Sequence, residues 1–294
     1  MLEKGAVFGS TFGWERPNWF APPGYGLSEA ELAKPDTLLR ENHPPAAPGE
    51  KVTEKWSFRR SNYFEFVGNE CRHVHEKVGI LDMSAFSKFM VEGPDSASWL
   101  DSLLANRIPR KIGRIGLCHL LTSLGGVRSE FTVYRLAEDR FYLVSAGMLE
   151  RHDWDYLTKA LPVDGRVQLR KVTSQYGVLV VAGPNSRSLL QRLTDRDLSN
   201  EAFPWLSGQS VNIGAADAHA IRVNFVGELG WELHHPIETQ NYIFDRLFDA
   251  GEEFDLKPFG IRAMDSLRLE KSYRLIPREL SVEYAALESG LERF

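Results

Sequence analysis

Two stretches of the chain repeat one pattern of hydrophobic and polar positions. Residues 86–104, FSKFMVEGPDSASWLDSLL, and residues 176–193, YGVLVVAGPNSRSLLQRL, each run from an apolar strand through Gly-Pro and a short polar residue into an apolar-periodic helix. Gly93-Pro94 and Gly183-Pro184 lie ninety residues apart. In both, the proline and a capping residue, Asp95 or Asn185, supply a helix start: a short side chain can satisfy a free N–H, and proline has none to satisfy. The likeness continues downstream. SEFTVYRLAEDRFYLVSAGMLERHDWDYLTKAL and HAIRVNFVGELGWELHHPIETQNYIFDRLFDAG each read strand, tight turn, strand, amphipathic helix. Leu149, Trp154, Leu157 and Leu161 in one helix, and Ile237, Tyr242, Phe244, Leu247 and Phe248 in the other, recur at broadly helical spacing.

Each half therefore reads βαββα, and the chain predicts an α+β fold of two similar units, residues 57–165 and 166–294. Antiparallel sheets covered by helices on one face are the natural way to bury such patterns. A ligand is expected between the halves, because clefts favour such interfaces. Residues 1–56 differ: they are rich in Pro and Gly and carry no sustained periodicity, so they read as an extended arm. The arm holds Trp14, Trp19, Phe20 and Tyr25. So many aromatics predict packing on another surface, one that need not belong to this chain.

Composition narrows the classes. At 294 residues and 43% hydrophobic, the chain can bury one large core or two moderate ones. A net charge of -5 gives a nucleic-acid partner no electrostatic support. No apolar run approaches the roughly 18 residues that span a bilayer, and the N-terminus lacks signal or transit character, so a cytoplasmic protein without membrane contact is expected. Cys71 and Cys118 are isolated and read as buried thiols.

No GxGxxG or Walker loop is present, so neither FAD nor NAD has a visible site. No helix sets two histidines at i and i+4 beside a third ligand, so no metal is expected, and a hydrolase's Gly-x-Ser-x-Gly elbow is missing. Carboxylates on strands remain. In GGVRSEFTVY, Gly125-Gly126 makes a turn, and alternation sets Glu130, Thr132 and Tyr134 opposite Phe131 and Val133. In NFVGELGWELHH, Glu228 sits in a glycine-bracketed turn, and parity sets Glu232 and His234 opposite Trp231 and Leu233. Solvated strand faces would read the same way.

GGVRSEFTVY, GELGWELHHP and IRAMDSLRLEKSYRLIPREL resemble the folate-binding module of the glycine-cleavage T-protein (aminomethyltransferase) family, whose usual motifs are GGxxDD followed by two hydrophobic residues, GYTGExGYE and RDxLRLE. The resemblance spans roughly residues 63–294. GAVFGSTFGWERPNWFAP is similar to the segment that joins the flavin half of sarcosine and dimethylglycine dehydrogenases to their C-terminal folate half. The resemblance implies a catalytic carboxylate at Glu130, one methylene longer than the family's Asp. It implies pteridine reading by Glu232, with Glu228 as turn acid, Phe225 in place of the motif's Tyr, and Arg268 as the Arg of LRLE. A pair of carboxylates would accept hydrogen bonds from the pteridine 2-amino group and ring N–H.

The implied activity is tetrahydrofolate-dependent one-carbon transfer. An oxidised N-methyl amine such as sarcosine or dimethylglycine would donate the carbon, tetrahydrofolate nitrogen would capture it, and 5,10-methylenetetrahydrofolate would form. A flavin dehydrogenase is the implied partner, since this chain shows no flavin site. T-protein relatives continue into a small β-rich domain where this chain reaches SVEYAALESGLERF, so that terminal domain is expected to be missing and the chain to be a split subunit or fragment. The alternatives are a stand-alone folate-dependent demethylase or methyltransferase, and a non-catalytic folate-binding module. The iron-sulfur-linked relatives' KGCYxGQE element is replaced by KSYRLIPRE, which disfavours that version.

Overall fold

In the computed structural model, residues 1–22, 54, 58 and 60–292 are described. The strands are β1 (Ala6–Thr11), β2 (Trp14–Phe20), β3 (Gly79–Asp82), β4 (Ser87–Glu92), β5 (Ile115–Leu121), β6 (Val127–Ala137), β7 (Arg140–Ser145), β8 (Gln168–Lys171), β9 (Tyr176–Ala182), β10 (Gly208–Ile213), β11 (Ala216–Ile221), β12 (Gly230–Pro236) and β13 (Lys257–Pro258). The helices are α1 (Phe64–Glu76), α2 (Ser96–Leu103), α3 (Glu150–Lys159), α4 (Ser186–Gln191), α5 (Gln240–Gly251) and α6 (Ile261–Glu270). None is long and apolar enough to cross a membrane.

The two repeats build two sheets, a five-stranded one in the order β5-β6-β7-β4-β8 and a six-stranded one in the order β10-β11-β12-β9-β3-β13. Each half carries one strand more than the expected βαββα. The additions, β5 (IGLCHLL) and β10 (GQSVNI), mix glycine and polar residues into their runs, which blurs a period of two. Antiparallel pairing with β6 and β11 makes them strands nonetheless. The halves also trade a strand. β3 precedes the first repeat yet pairs with β9, and β8 follows the first repeat's helix α3 yet pairs with β4. A boundary between residues 165 and 166 therefore follows the repeat but not the hydrogen-bonded sheets.

Alternation decides the layers. Phe89, Val91, Phe131, Val133, Phe141 and Leu143 of the first sheet pack beneath Trp99 and Leu100 of α2 and Leu157 of α3. Leu179, Val181, Trp231 and Leu233 of the second pack beneath Leu189 of α4 and Ile243 and Leu247 of α5. In α5 Ile243 joins the predicted Leu247 in the core, with Phe244 and Phe248 packed partly against it, whereas Tyr242 and, in the turn ahead of the helix, Ile237 are exposed. The opposite faces of the two sheets meet each other. Met90, Ile115, Tyr134, Tyr142 and Val144 close against Ile221, giving the order helix, sheet, sheet, helix. α1 and α6 cover the rest of the second sheet's inner face at Leu81, Val180 and Ala182. Cys71 and Cys118 are buried, and desolvation pushes their thiols up to about 11 and about 12.

The expected arm begins instead as a β-hairpin. β1 and β2 pair from Ala6↔Phe20 to Thr11↔Trp14, with Phe12 and Gly13 both at positive φ in the connecting turn. The hairpin packs on this chain: Trp19 is fully buried, its ring stacked on Phe66 of α1 at 5.4 Å and tilted against Tyr63. Glu70 of α1 ties it further, accepting the Phe20 N–H at 2.7 Å and the Gly260 N–H at 2.8 Å. Burial pushes that carboxyl up to about 7. Of the four arm aromatics, Trp14 and Phe20 lie in β2 with Trp19, and Tyr25 lies outside the described residues.

Candidate functional site

Glu130 and Glu232 occupy the inward faces of the two sheets. On β6, Glu130 shares its face with Tyr134, whose ring meets His219 of β11 edge-on at 6.0 Å. On β12, Trp231 and Leu233 enter the helix-side core, which turns Glu232 and His234 toward the first sheet. There Tyr142 of β7 reaches His234 Nδ1 at 3.2 Å. Neither acid is on a water-washed surface: Glu232 is 7% exposed, and the Glu130 side chain is 24% exposed.

Glu130 pairs across the ladder with His119 of β5, whose Nε2 lies 3.0 Å from its Oε2. Asn106 Oδ1 accepts the His119 backbone N–H at 2.8 Å and lies 3.2 Å from Nδ1. That acceptor places a proton on Nδ1. Nε2 is then the atom that faces Glu130, so acid and imidazole are joined by one contact across the ladder.

Glu232 lies in a different medium. Its Oε2 is 3.1 Å from His234 Nε2, and no described residue donates to Oε1. Burial pushes the carboxyl up to about 8. His234 is driven down to about 3 by burial and then by the Lys88 charge, and burial, followed by Tyr176 and Glu232, raises the Tyr142 phenol. At neutral pH the Glu232–His234 contact is a hydrogen bond between uncharged groups. Lys88 is itself fully buried, donating to the carbonyls of Ser84, Phe86 and Thr173 at 2.7, 3.0 and 3.0 Å.

These shifts set a pH dependence of stability. Between pH 6.5 and 8 the unfolded chain has lost the protons of both groups while the folded chain keeps the one on Glu232, so stability falls as pH rises. Between pH 4.5 and 6.5 each state holds one of the two protons, and the terms cancel. Glu232→Gln removes the titration. It is expected to gain on wild type by about 2 kcal/mol between pH 6.5 and 8, at about 1.4 kcal/mol per pH unit. Urea unfolding at stepped pH reads the difference, and parallel profiles would mean that Glu232 is ionised throughout.

The other three sequence candidates gather elsewhere, around α6 and the segment after it. Asn224 shapes their loop: its Oδ1 accepts the Val226 and Gly227 N–H groups at 3.0 and 3.1 Å, and Gly227 takes a positive φ. Glu228 is held by His75 of α1 at 2.9 Å and by Lys271 at 3.5 Å. It shares no hydrogen-bond partner with Glu232, so the structure does not join them as a paired acceptor. The Phe225 ring lies 5.9 Å from that of Tyr273. Arg268 is 1% exposed and donates to Asp265, Glu279 and the Tyr273 carbonyl, which leaves its buried Nη2 without a partner. Its guanidinium thus fixes the C-terminal segment beside Phe225, with both N–H groups of Nη2 to spare. His119, Tyr142 and His234 emerge from the geometry. His234 is legible through strand parity, and His119 only through the register of the β5–β6 hairpin.

The GCVT N-terminal domain family model matches residues 1–294. The chain belongs to the GCVT N-terminal domain family. This GCVT domain is 38% identical to mouse mitochondrial dimethylglycine dehydrogenase over 294 residues, which is 100% of this chain and 31% of that protein. It is 32% identical to human mitochondrial sarcosine dehydrogenase, covering 99% of this chain and 33% of that protein. It is also 32% identical to an aminomethyltransferase of Listeria monocytogenes, covering 77% of this chain and 62% of that protein. The chain thus spans about a third of the length of the two dehydrogenases. The crystal structure of the glycine cleavage system aminomethyltransferase T from Bartonella henselae superposes with a TM-score of 0.72 at 22% identity, covering 97% of this chain and 64% of that one. The α+β architecture is therefore the T-protein fold.

Proposed function

We propose that this GCVT domain transfers a one-carbon unit from an oxidised N-methyl amine, of the sarcosine or dimethylglycine type, to tetrahydrofolate. The observation that carries the reading is Glu232: a buried carboxyl on the inner sheet face, one oxygen held by His234 and the other free to accept the N–H groups of a pterin edge. A buried acceptor of this kind calls for a donor, and a pterin offers two side by side. Tetrahydrofolate, when bound, supplies the nitrogen nucleophile that takes up the carbon. Glu130 would face the reacting nitrogen, stabilise positive charge there and accept its proton, with His119 as the second seat for that proton. Phe225 would wall the ring, and Arg268, already committed to Asp265 and Glu279, would hold that wall in place and offer Nη2.

The donor amine would be oxidised by a flavin dehydrogenase, in line with the similarity to two dehydrogenases about three times the length of this chain. Titration of the purified protein with tetrahydrofolate by calorimetry, in wild type and Glu232→Ala, tests the binding half. Saturable binding lost by more than about tenfold in the variant is expected from one truncated buried acceptor. Methylene transfer assayed with and without a flavoprotein dehydrogenase tests the chemical half. Transfer without the flavoprotein would favour a stand-alone transferase, and binding without transfer a non-catalytic module.

A further inference from the structure

His234 is enclosed between the two halves of the molecule, with both ring nitrogens engaged. Tyr142 of β7 touches Nδ1, and Glu232, on the same strand β12 as His234, touches Nε2; the Tyr142 ring stands at 88° to the imidazole, 5.4 Å away. A neutral imidazole has one donor and one acceptor nitrogen. Whatever proton state Nε2 adopts toward Glu232, Nδ1 must adopt the opposite one toward Tyr142. A hydroxyl serves both states, because it donates or accepts. We propose that Tyr142 and His234 are positioning residues forming a proton relay onto Glu232, which lets that acid change charge beneath a bound pterin without losing a hydrogen bond.

The inference rests on the folate reading above, and its protons balance. In the resting state Glu232 O–H donates to Nε2, and Nδ1–H donates to the Tyr142 oxygen. For release, the Glu232 proton moves to Nε2, the Nδ1 proton moves to the Tyr142 oxygen, and the hydroxyl's original proton passes to solvent water. Glu232 is left as a carboxylate accepting from Nε2–H, and Nδ1 accepts from the Tyr142 O–H. The number of hydrogen bonds is unchanged. A carboxylate is the form that accepts both N–H groups of a pterin edge, so folate affinity should rise with pH until Glu232 is ionised.

The surroundings keep the resting state neutral. Lys88 on β4 brings a positive charge that opposes an imidazolium at His234. Tyr176 at the start of β9 packs its ring 5.7 Å from that of Tyr142. His219 of β11 pairs across the ladder with His234, and His235 follows it on β12; burial lowers both imidazoles. Asp82 and Glu150 are the acids acting on Lys88, Asp82 acts also on His235, and Arg140 and Asp217 act on His219. The strand neighbours of Glu232 itself, Ile221 and Val180, are apolar.

The test is a double-mutant cycle on the ligand-free protein, read by carbon-13 NMR of labelled glutamate carboxyls with Glu232→Gln assigning the resonance. Tyr142→Phe leaves Nδ1–H a buried orphan donor when Glu232 is neutral and Nδ1 a buried orphan acceptor when it is ionised; the orphan donor costs more, so the Glu232 midpoint should fall. In a His234→Gln background the side chain still reaches Glu232 but no longer couples to Tyr142, and Tyr142→Phe should then shift nothing. Equal shifts in both backgrounds, or no shift in the wild-type background, would overturn the relay; should His234→Gln fail to fold, His234→Asn takes its place, and the Tyr142→Phe result alone still decides the first step. Tetrahydrofolate titrations of wild type across pH 6 to 9 separate the two levels. Absence of binding at every pH would refute the folate reading and leave the relay to the NMR cycle.

Discussion

Replacing Glu130 by alanine is expected to lower the rate of tetrahydrofolate-dependent transfer by a factor of about 10² to 10⁴, the usual worth of a positioned general base or charge stabiliser. Tetrahydrofolate affinity should stay within a few-fold of wild type, because Glu232 and the Phe225 wall are untouched. Glu130 Oε2 and His119 Nε2 meet at 3.0 Å, and deleting the acid removes that contact. Glu130→Asp makes the sharper comparison. The shorter side chain matches the family's motif but draws the carboxylate back by a methylene from His119. If reach to the substrate decides, the Asp variant loses rate; if only charge decides, it does not. Single-turnover kinetics with saturating tetrahydrofolate distinguish these, and equal rates for wild type and Glu130→Ala would remove the residue from the chemistry.

Trp19→Ala is expected to cost about 3–5 kcal/mol of stability, the range for removing a large buried aromatic. Trp19 is fully buried, and its ring stacks within 6° of parallel on Phe66. The loss would also free the end of β2, where the Phe20 N–H binds Glu70. Denaturant unfolding followed by far-ultraviolet circular dichroism measures it. A change below about 1 kcal/mol would mean that the hairpin is not part of the cooperative unit, since a packed tryptophan cannot be removed from such a unit at so little cost.

The repeat, its helices and the parity of the two acids were legible in the sequence because they depend on local periodicity. Gly-Pro ahead of α2 and α4, and the alternation of Phe131 with Glu130 and of Trp231 with Glu232, need no knowledge of neighbours. What was illegible depends on pairing. Nothing local in β8 says that it joins β4, and the hairpin turn is made by Phe12-Gly13 rather than by the Asn-Gly or Asp-Gly that advertises such turns. Pro17 in β2 reads as a breaker, yet it is tolerated in a two-stranded ribbon, where an edge position needs no N–H. In the site, the positions of Glu130, Glu232, Glu228, Phe225 and Arg268 came from motif resemblance. That His119 meets Glu130 and that Tyr142 meets His234 follow from a cross-strand and an interlayer distance of about one side chain, which no spacing along the chain encodes. The difference between Glu228 and Glu232 is of the same kind: both are acids four residues apart, and only the helix beside one and the sheet opposite the other set them different tasks.

The traded strands restrict how the two repeats can part. Pulling residues 57–165 away from residues 166–294 would tear the ladders joining β3 to β9 and β8 to β4, whose residues Ile80, Val181 and Val91 are fully buried. Each of those ladders lies within one sheet. Whatever moves must therefore move as a whole sheet, and never as a unit of sequence.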